Sequence, residues 1–257
     1  MTKSASNNQI KNWRKLLQGK HRKKTGLFLA EGLRCVEQII KNKKLEVSEI
    51  LTDGTIDHSE INLADNIPVF ELSKNDFTSI SDTENPQGII AVCRIPDQTS
   101  IDSISKSGGF IVALDAVQDP GNLGTIIRTA SWFGVQAILI GKGTADPFQP
   151  KVVRSTAGAT GTIPYLKGDL DSHFDLLESE QWNIYLLDGS ADSVSLNTVS
   201  PSNKSVIVVG NEGNGVNSTL IKANRKLVRI DGKSDIVESL NAAVAASIAL
   251  FKFSDRV

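Results

Sequence analysis

The chain has 257 residues, of which 40% are hydrophobic and 22% charged. That is the length and balance of a globular protein of one or two domains with a real core. No apolar run approaches the roughly 20 residues a membrane helix needs, and the polar stretch Met1–Gln9 lacks the apolar core of a secretory signal, so membrane spans are excluded and a cytoplasmic protein is expected. Cys35 and Cys93 are the only cysteines and His21, His58 and His173 the only histidines. They form no metal-ligand spacing, so no metal is expected, and the cysteines read as buried small hydrophobes in a reducing compartment.

The net charge of −1 hides an asymmetry: residues 1–44 hold twelve Lys or Arg against Glu31 and Glu37 alone, a balance of +10 that leaves −11 for the rest. A basic arm on an acidic body points to a polyanionic partner, RNA or DNA, with Lys20, Arg22, Lys23, Lys24 and Arg34 as candidate contacts.

Asn7–Gln18 has the spacing of a short helix with Ile10, Trp13, Leu16 and Leu17 on one face. Gly19–Gly26 reads as a basic loop, Leu27–Ala30 as a strand and Gly32–Lys41 as a helix with Leu33, Val36, Ile39 and Ile40 inward. Val47–Leu51 is a second strand, Ser59–Ala64 a weak helix and Val69-Phe70 a strand. Ser73 caps a helix over Asn75–Ile80, and Ile89–Arg94 is a further apolar strand. This alternation predicts a small α/β domain over residues 1–95. The polar stretch 96–109 reads as a linker.

A second domain is predicted over 110–257. Strands are expected at Phe110–Asp115, Gln136–Ile140, Ile163–Leu166, Ile184–Leu187, from Val206, and at Leu227–Ile230. Helices are expected at Asn122–Phe133, Lys151–Ala157, Phe174–Ser179 and Ser239–Phe253. Apolar β-branched runs between helices suit a mostly parallel sheet. The last helix is apolar nearly all round, which predicts burial in a core or a subunit interface.

Three polar clusters in this half carry chemistry. Asp115–Ala130 holds a Pro120-Gly121 turn, Asn122 as an N-cap and Arg128 almost two turns on; Arg128 is either a surface arginine or a functional cation. Val206–Asn217 is a strand running into Gly210-Asn211-Glu212-Gly213-Asn214-Gly215, either a tight turn or a ligand loop at a strand's carboxyl end. Ser239 and Asn241 stand at the mouth of the last helix, as caps or as ligands. A fourth stretch, Asp146–Ala159, places Lys151 and Arg154 near a helix start, either solvated or contacting phosphate.

Together these stretches resemble the SpoU/TrmH family of RNA ribose 2′-O-methyltransferases, in the SPOUT superfamily. The matching motifs are NLGTIIRTA at Asn122–Ala130, GNEGNGV at Gly210–Val216 and ESLNAAVA at Glu238–Ala245, with DPFQPKVVRSTAGA at Asp146–Ala159. KNWRKLLQGKHRKKTGLFLAEG, at Lys11–Gly32, is similar to the family's ribosomal-protein-like substrate-binding domain. The resemblance implies a trefoil-knotted, mostly parallel α/β domain that binds S-adenosylmethionine (AdoMet) and forms a homodimer partly through the last helix. The implied cofactor-binding residues are Leu187, Gly189, Gly210, Asn211, Glu212, Gly213, Ile230, Ser239 and Leu240. Arg128, Glu212, Asn122, Ser239 and Asn241 are the implied catalytic set, with Arg128 stabilising the ribose oxygen, Glu212 orienting Arg128 or the ribose, and Asn122 holding the ribose or its phosphate. Lys151 and Arg154 would neutralise RNA phosphates.

The family commonly has Ile-Pro before the third motif; here Ile230 is followed by Asp231-Gly232, beside the implied adenine pocket. The expected substrate is RNA, with large-subunit rRNA favoured over tRNA. The alternatives are a non-catalytic RNA-binding or ribosome-assembly protein and, through the glycine loop, a dinucleotide enzyme. Deleting residues 1–95 is expected to weaken RNA binding and leave cofactor binding.

Overall fold

A computed structural model of the chain describes residues 2–56, 61, 63, 66–190, 192–233, 236–237 and 239–254. The chain forms two compact units: Met1–Asp97 with Asp146–Thr162, and Gln98–Ala145 with Ile163–Val257.

The first unit runs β1 (Lys3–Ser4), α1 (Asn7–Lys15), α2 (Gly19–Thr25), β2 (Leu27–Glu31), α3 (Leu33–Asn42), β3 (Val47–Thr52), β4 (Val69–Glu71), α4 (Lys74–Ile80) and β5 (Ile89–Arg94). Its sheet has the order β1-β4-β3-β5-β2, antiparallel where β5 meets β2 and β3 and parallel elsewhere. Ile10, Trp13 and Leu16 bury one face of α1 against Leu29, Leu51, Phe70 and Val92, and the Trp13 indole N–H donates to Glu49 at 2.6 Å. Ser6 caps α1 in a reciprocal box with Gln9.

One expectation fails in this unit. Gly19–Gly26 is not a loop: α2 closes on Gly26, whose φ of +67° ends it in the left-handed conformation. Arg22 drives that helix by turning inward. The helix expected at 59–64 falls mostly outside the described residues.

The second unit runs α5 (Ile101–Ser105), β6 (Gly109–Leu114), α6 (Pro120–Trp132) and β7 (Ala137–Ile140). Then α7 (Pro150–Ser155) belongs to the first unit. The second resumes with β8 (Tyr165–Lys167), α8 (Leu170–Ser179), β9 (Asn183–Leu187), β10 (Val194–Ser195), β11 (Lys204–Val209), β12 (Lys226–Arg229) and α9 (Ala242–Ser254). The sheet is parallel at every pairing, in the order β10-β12-β9-β11-β6-β7-β8. Val206, Val208, Ile111, Ala113 and Ile184 are buried in its core. The expected linker from residue 98 on is part of this unit: Ser100 caps α5, Ile104 is buried in the core, and the Ser105 carbonyl accepts the Trp182 indole N–H at 3.0 Å.

The domain division therefore differs from two consecutive blocks, because residues 146–162 leave the second half of the sequence to complete the first unit. Phe148 packs on Phe28 with ring centroids 5.1 Å apart, and Val152 and Val153 are fully buried. The Asn42 amide donates to the Gly158 carbonyl at 3.1 Å. Gly158 has φ +91°, and a Cβ there would lie 2.4 Å from that of Gln38, so only glycine fits. A fragment starting near residue 96 would strip the cover from Phe148, Val152 and Val153, so the deletion expected to spare cofactor binding cuts through a folded unit.

α9 begins at Ala242 rather than Ser239 and buries Ala243, Ala246, Ala249, Leu250 and Phe253. Its other face is exposed, with Val244, Ile248 and Phe251 open. Among the described residues no helix is long and apolar enough to cross a membrane. Both cysteines are free and buried, as expected; burial pushes the Cys35 thiol up to about 11 and the Cys93 thiol up as well.

Candidate active site

In a parallel sheet every strand delivers its following loop to the same edge. Val209 of β11 pairs with Leu114 of β6, so the loops starting at Gly210 and Asp115 leave side by side. The chain switches sheet direction here, with β7 and β8 on one side of β6 and β11, β9, β12 and β10 on the other.

The 210–217 loop is a closed hairpin. Asn211 and Gly215 exchange backbone bonds at 2.9 Å in both directions, and Gly215 takes φ +67°. A Cβ on Gly210 would come within 2.3 Å of the Gly215 carbonyl carbon. These two glycines serve the closure of the loop itself. Asn211 is likewise occupied: its amide donates to the Ala116 carbonyl at 2.9 Å and its oxygen accepts from the backbone of Gly213 and Asn214. The loop leads only into a short 3-10 turn at Ser218–Leu220, so the strand, glycine loop and following helix that hold a pyrophosphate are not formed here, and the dinucleotide reading fails.

Glu212 points back over the β6 loop. It accepts from the Asn122 amide at 3.0 Å and from the backbone N–H groups of Gln118 and Asp119 at 3.3 Å. Partial burial pushes its pKa up, but the bonds from Asn122 and the backbone outweigh it and hold the carboxyl below its ordinary value. It is ionised at neutral pH.

Asn122 is not the N-cap of α6. Asp119 is, accepting from the Asn122 backbone N–H at 2.8 Å, with Pro120 at the first helical position. This frees the Asn122 side chain for two bonds: it donates to Glu212, and its oxygen accepts from the Asn241 amide at 2.9 Å. Asn241 in turn accepts from the backbone of Ala243 and Val244 at the start of α9. It is both cap and link, and the three motifs meet in one chain, Asn241 to Asn122 to Glu212. The Asp-Pro pair was the sequence signal for the true cap.

Arg128 is exposed on α6, and no side-chain partner of it appears among the described residues. Of the two roles expected for Glu212, orienting Arg128 or the ribose, no pairing with Arg128 appears among the described residues; Glu212 is held by Asn122. Ser239 and Leu240 are exposed just before α9.

Leu187 ends β9 and Ile230 directly follows the neighbouring β12, and the two are tied together where the Asp188 N–H donates to the Val228 carbonyl at 2.9 Å. A Cβ on Gly189 or Gly232 would meet nothing within 4 Å, so the backbone here borders open space that a flat ring can approach. Asp231 fills the place expected for proline with an ion pair. It accepts from Arg229 at 3.2 Å and from the hydroxyl of Ser195, while Arg229 also donates to the Ser193 carbonyl. Ile230 is thereby bracketed by two residues anchored to 193–195. These open, backbone-lined strand ends fit an adenosine.

The basic candidates all lie in the first unit. Lys20, Lys23, Lys24, Arg34 and Lys151 are exposed. Arg22 is not: it is 3% exposed, pairs with Asp146 at 2.7 Å and donates to the carbonyls of Leu16 and Leu17. Its donors are spent inside the fold, and it is withdrawn as an RNA contact. Arg154 is partly committed, pairing with Asp82 at 2.8 Å and Glu31 at 3.5 Å.

The fold and site define a two-unit α/β protein whose reactive groups gather at the carboxyl edge of a parallel sheet. Residues 109–251 match the SpoU rRNA methylase family, and residues 7–91 match the MRM3-like substrate-binding domain. The chain belongs to the SpoU rRNA methylase family. It is 38% identical over 252 residues to the 23S rRNA (guanosine(2553)-2′-O)-methyltransferase RlmP of Bacillus subtilis (strain 168), covering 96% of each chain. It is 28% identical over 235 residues to the 23S rRNA (guanosine-2′-O-)-methyltransferase RlmB of Xylella fastidiosa, covering 86% of this chain and 93% of that one. The structure of an AdoMet-bound rRNA methyltransferase from Sinorhizobium meliloti superposes with a TM-score of 0.84 at 29% identity, over 100% of this chain and 98% of that one.

Proposed function

We propose that the protein transfers a methyl group from AdoMet to the ribose 2′-hydroxyl of a guanosine in 23S rRNA. The observation that carries this reading is the Asn241–Asn122–Glu212 chain, with Arg128, which has no side-chain partner among the described residues, on the same helix as Asn122. It is supported by the substrates named for the B. subtilis and X. fastidiosa relatives.

Bound AdoMet supplies a methyl carbon on a sulfonium, which needs no metal to activate it. The protein must align the 2′-oxygen for an in-line displacement, in which the methyl carbon leaves sulfur for that oxygen, and stabilise the oxygen as its proton passes to water. Arg128, a guanidinium with no side-chain partner among the described residues, stabilises the negative oxygen rather than acting as base. Glu212, ionised and held by three donors, fixes Asn122 and the 118–119 backbone; Asn122 orients the ribose or its phosphate. Ser239 and Asn241 shape the wall of the site. The backbone at Leu187, Gly189, Gly210, Ile230 and Leu240 holds the adenosine portion, with Asn211 and Gly213 keeping the loop closed. Lys20, Lys23, Lys24, Arg34, Lys151 and Arg154 meet RNA phosphates.

The family's trefoil knot and homodimer belong to this reading. The exposed Val244, Ile248 and Phe251 of α9, with Trp132 at the end of α6, supply an apolar face suited to a second copy. A cytoplasmic location goes with an rRNA substrate. The test is calorimetric titration with AdoMet and transfer to 23S rRNA, for wild type and Arg128→Ala. Micromolar AdoMet binding by both, with transfer lost only in the variant, supports the assignment; equal transfer by both removes Arg128 from it.

A further inference from the structure

The first unit contains an open cleft of about 630 Å³, within the roughly 300–1,000 Å³ of small-ligand sites. It is bordered by Gly32 and Arg34 at the start of α3, by Thr83, Asn85 and Gln87 before β5, and by Arg154 of α7. Its floor carries Glu31, 4% exposed. That carboxylate is spent: it accepts from the hydroxyl groups of Ser81 and Thr83, from the Asp82 N–H at 3.1 Å and from Arg154 at 3.5 Å. Asp82 is neutralised by the same arginine at 2.8 Å.

What remains unspent in the cleft is polar and mostly donating. No partner of the Arg34 guanidinium or the Asn85 amide appears among the described residues. Among the described residues Gln87 uses only its oxygen, accepting from the Leu33 N–H at 3.0 Å, and no partner of its NH₂ group appears. A guanidinium recognises phosphate or the face of a base, and side-chain amides read base edges. A base inside a duplex cannot present its edge to such a cleft; an unpaired one can.

We propose that this cleft receives one unpaired nucleotide of the RNA substrate, away from the nucleotide that is methylated. Arg34 holds its phosphate or stacks on its base, and Asn85 and Gln87 bond to the base edge. The proposal rests on the reading of the protein as an rRNA methyltransferase.

The test is RNA binding by the full-length protein, using a transcript of the 23S rRNA segment that contains the guanosine equivalent to 2553. The variants are Arg34→Ala, Asn85→Ala and their double mutant, with Lys44→Ala as a control for loss of one positive charge. AdoMet affinity is measured in parallel. The expected result is a tenfold or greater loss of RNA affinity in the double mutant and a severalfold loss in Asn85→Ala, which removes no charge. Lys44→Ala changes little, and AdoMet affinity is unchanged throughout. If wild type binds and methylates the transcript and the double mutant binds it equally well, the cleft assignment is overturned alone. If wild type neither binds nor methylates it, the rRNA reading falls and takes the cleft with it.

Discussion

The side-chain amide of Asn122 donates to the Glu212 carboxylate at 3.0 Å, joining the first turn of α6 to a loop 90 residues further along the chain. Every other bond to that carboxylate also comes from a donor. Glu212→Gln would turn an NH₂ group toward N–H donors and release Asn122. The expected outcome is a fall in kcat of about 100-fold or more, on the scale of losing one oriented polar group in an active site. Because Glu212 is exposed, the melting temperature should hold. Steady-state kinetics beside a thermal melt checks both.

The depressed pKa of Glu212 sets a pH window. A carboxylate with a lowered folded pKa contributes fully above its unfolded value, about 4.3 for glutamate, and loses that contribution as pH falls through the folded value. The Asn122 side-chain amide resonances should therefore stay constant through neutral pH and move only on the acid side of the ordinary range. An inflection near pH 7, followed by NMR titration, would contradict the hydrogen-bond assignment.

Arg22 and Lys23 are neighbours with opposite roles. Removing the Arg22 guanidinium takes away the cation paired with Asp146 and the donor shared by the carbonyls of Leu16 and Leu17. Arg22→Ala should cost about 3 kcal/mol in chemical denaturation. Lys23→Ala should leave stability within about 0.5 kcal/mol and flatten the salt dependence of RNA binding by roughly one contact.

Asp231 does by charge what a proline would do by its ring: it restrains the chain just after Ile230. The Arg229 pair is exposed, 39% and 44%, so its contribution to global stability is small. Its effect should be local. Asp231→Ala is expected to weaken AdoMet binding three- to tenfold, an order-of-magnitude figure for one exposed pair, with RNA affinity unchanged. Calorimetry giving wild-type AdoMet affinity would show that the bracket around Ile230 is irrelevant to the cofactor.

The sequence made the strands and the motif residues legible for a physical reason. β6, β9 and β11 are runs of β-branched and apolar residues, and that pattern depends on burial alone. Helix α2 was not legible, because GKHRKKT has no apolar face; it is held by a buried arginine whose partner lies 124 residues away. Gly26 was the one local sign of its end. α5 was hidden in a polar stretch, though Ser100 with Ile101 and Ile104 has the cap and spacing of a helix start. The return of residues 146–162 to the first unit has no local signature; it depends on Phe148 meeting Phe28 and Gly158 meeting Gln38. In the site, the residues of the three motifs were legible and their pairing was not. Glu212 was expected to orient Arg128 or the ribose, and its partner Asn122 was read as a helix cap; capping by Asp119 frees the Asn122 side chain to hold Glu212.

The most direct test of the central claim is nucleoside mass spectrometry of a 23S rRNA transcript incubated with the protein and isotopically labelled AdoMet. The expected result is a single labelled 2′-O-methylguanosine, absent when Arg128→Ala replaces wild type. Label on a base, or no label in any RNA while AdoMet binds normally, would contradict it.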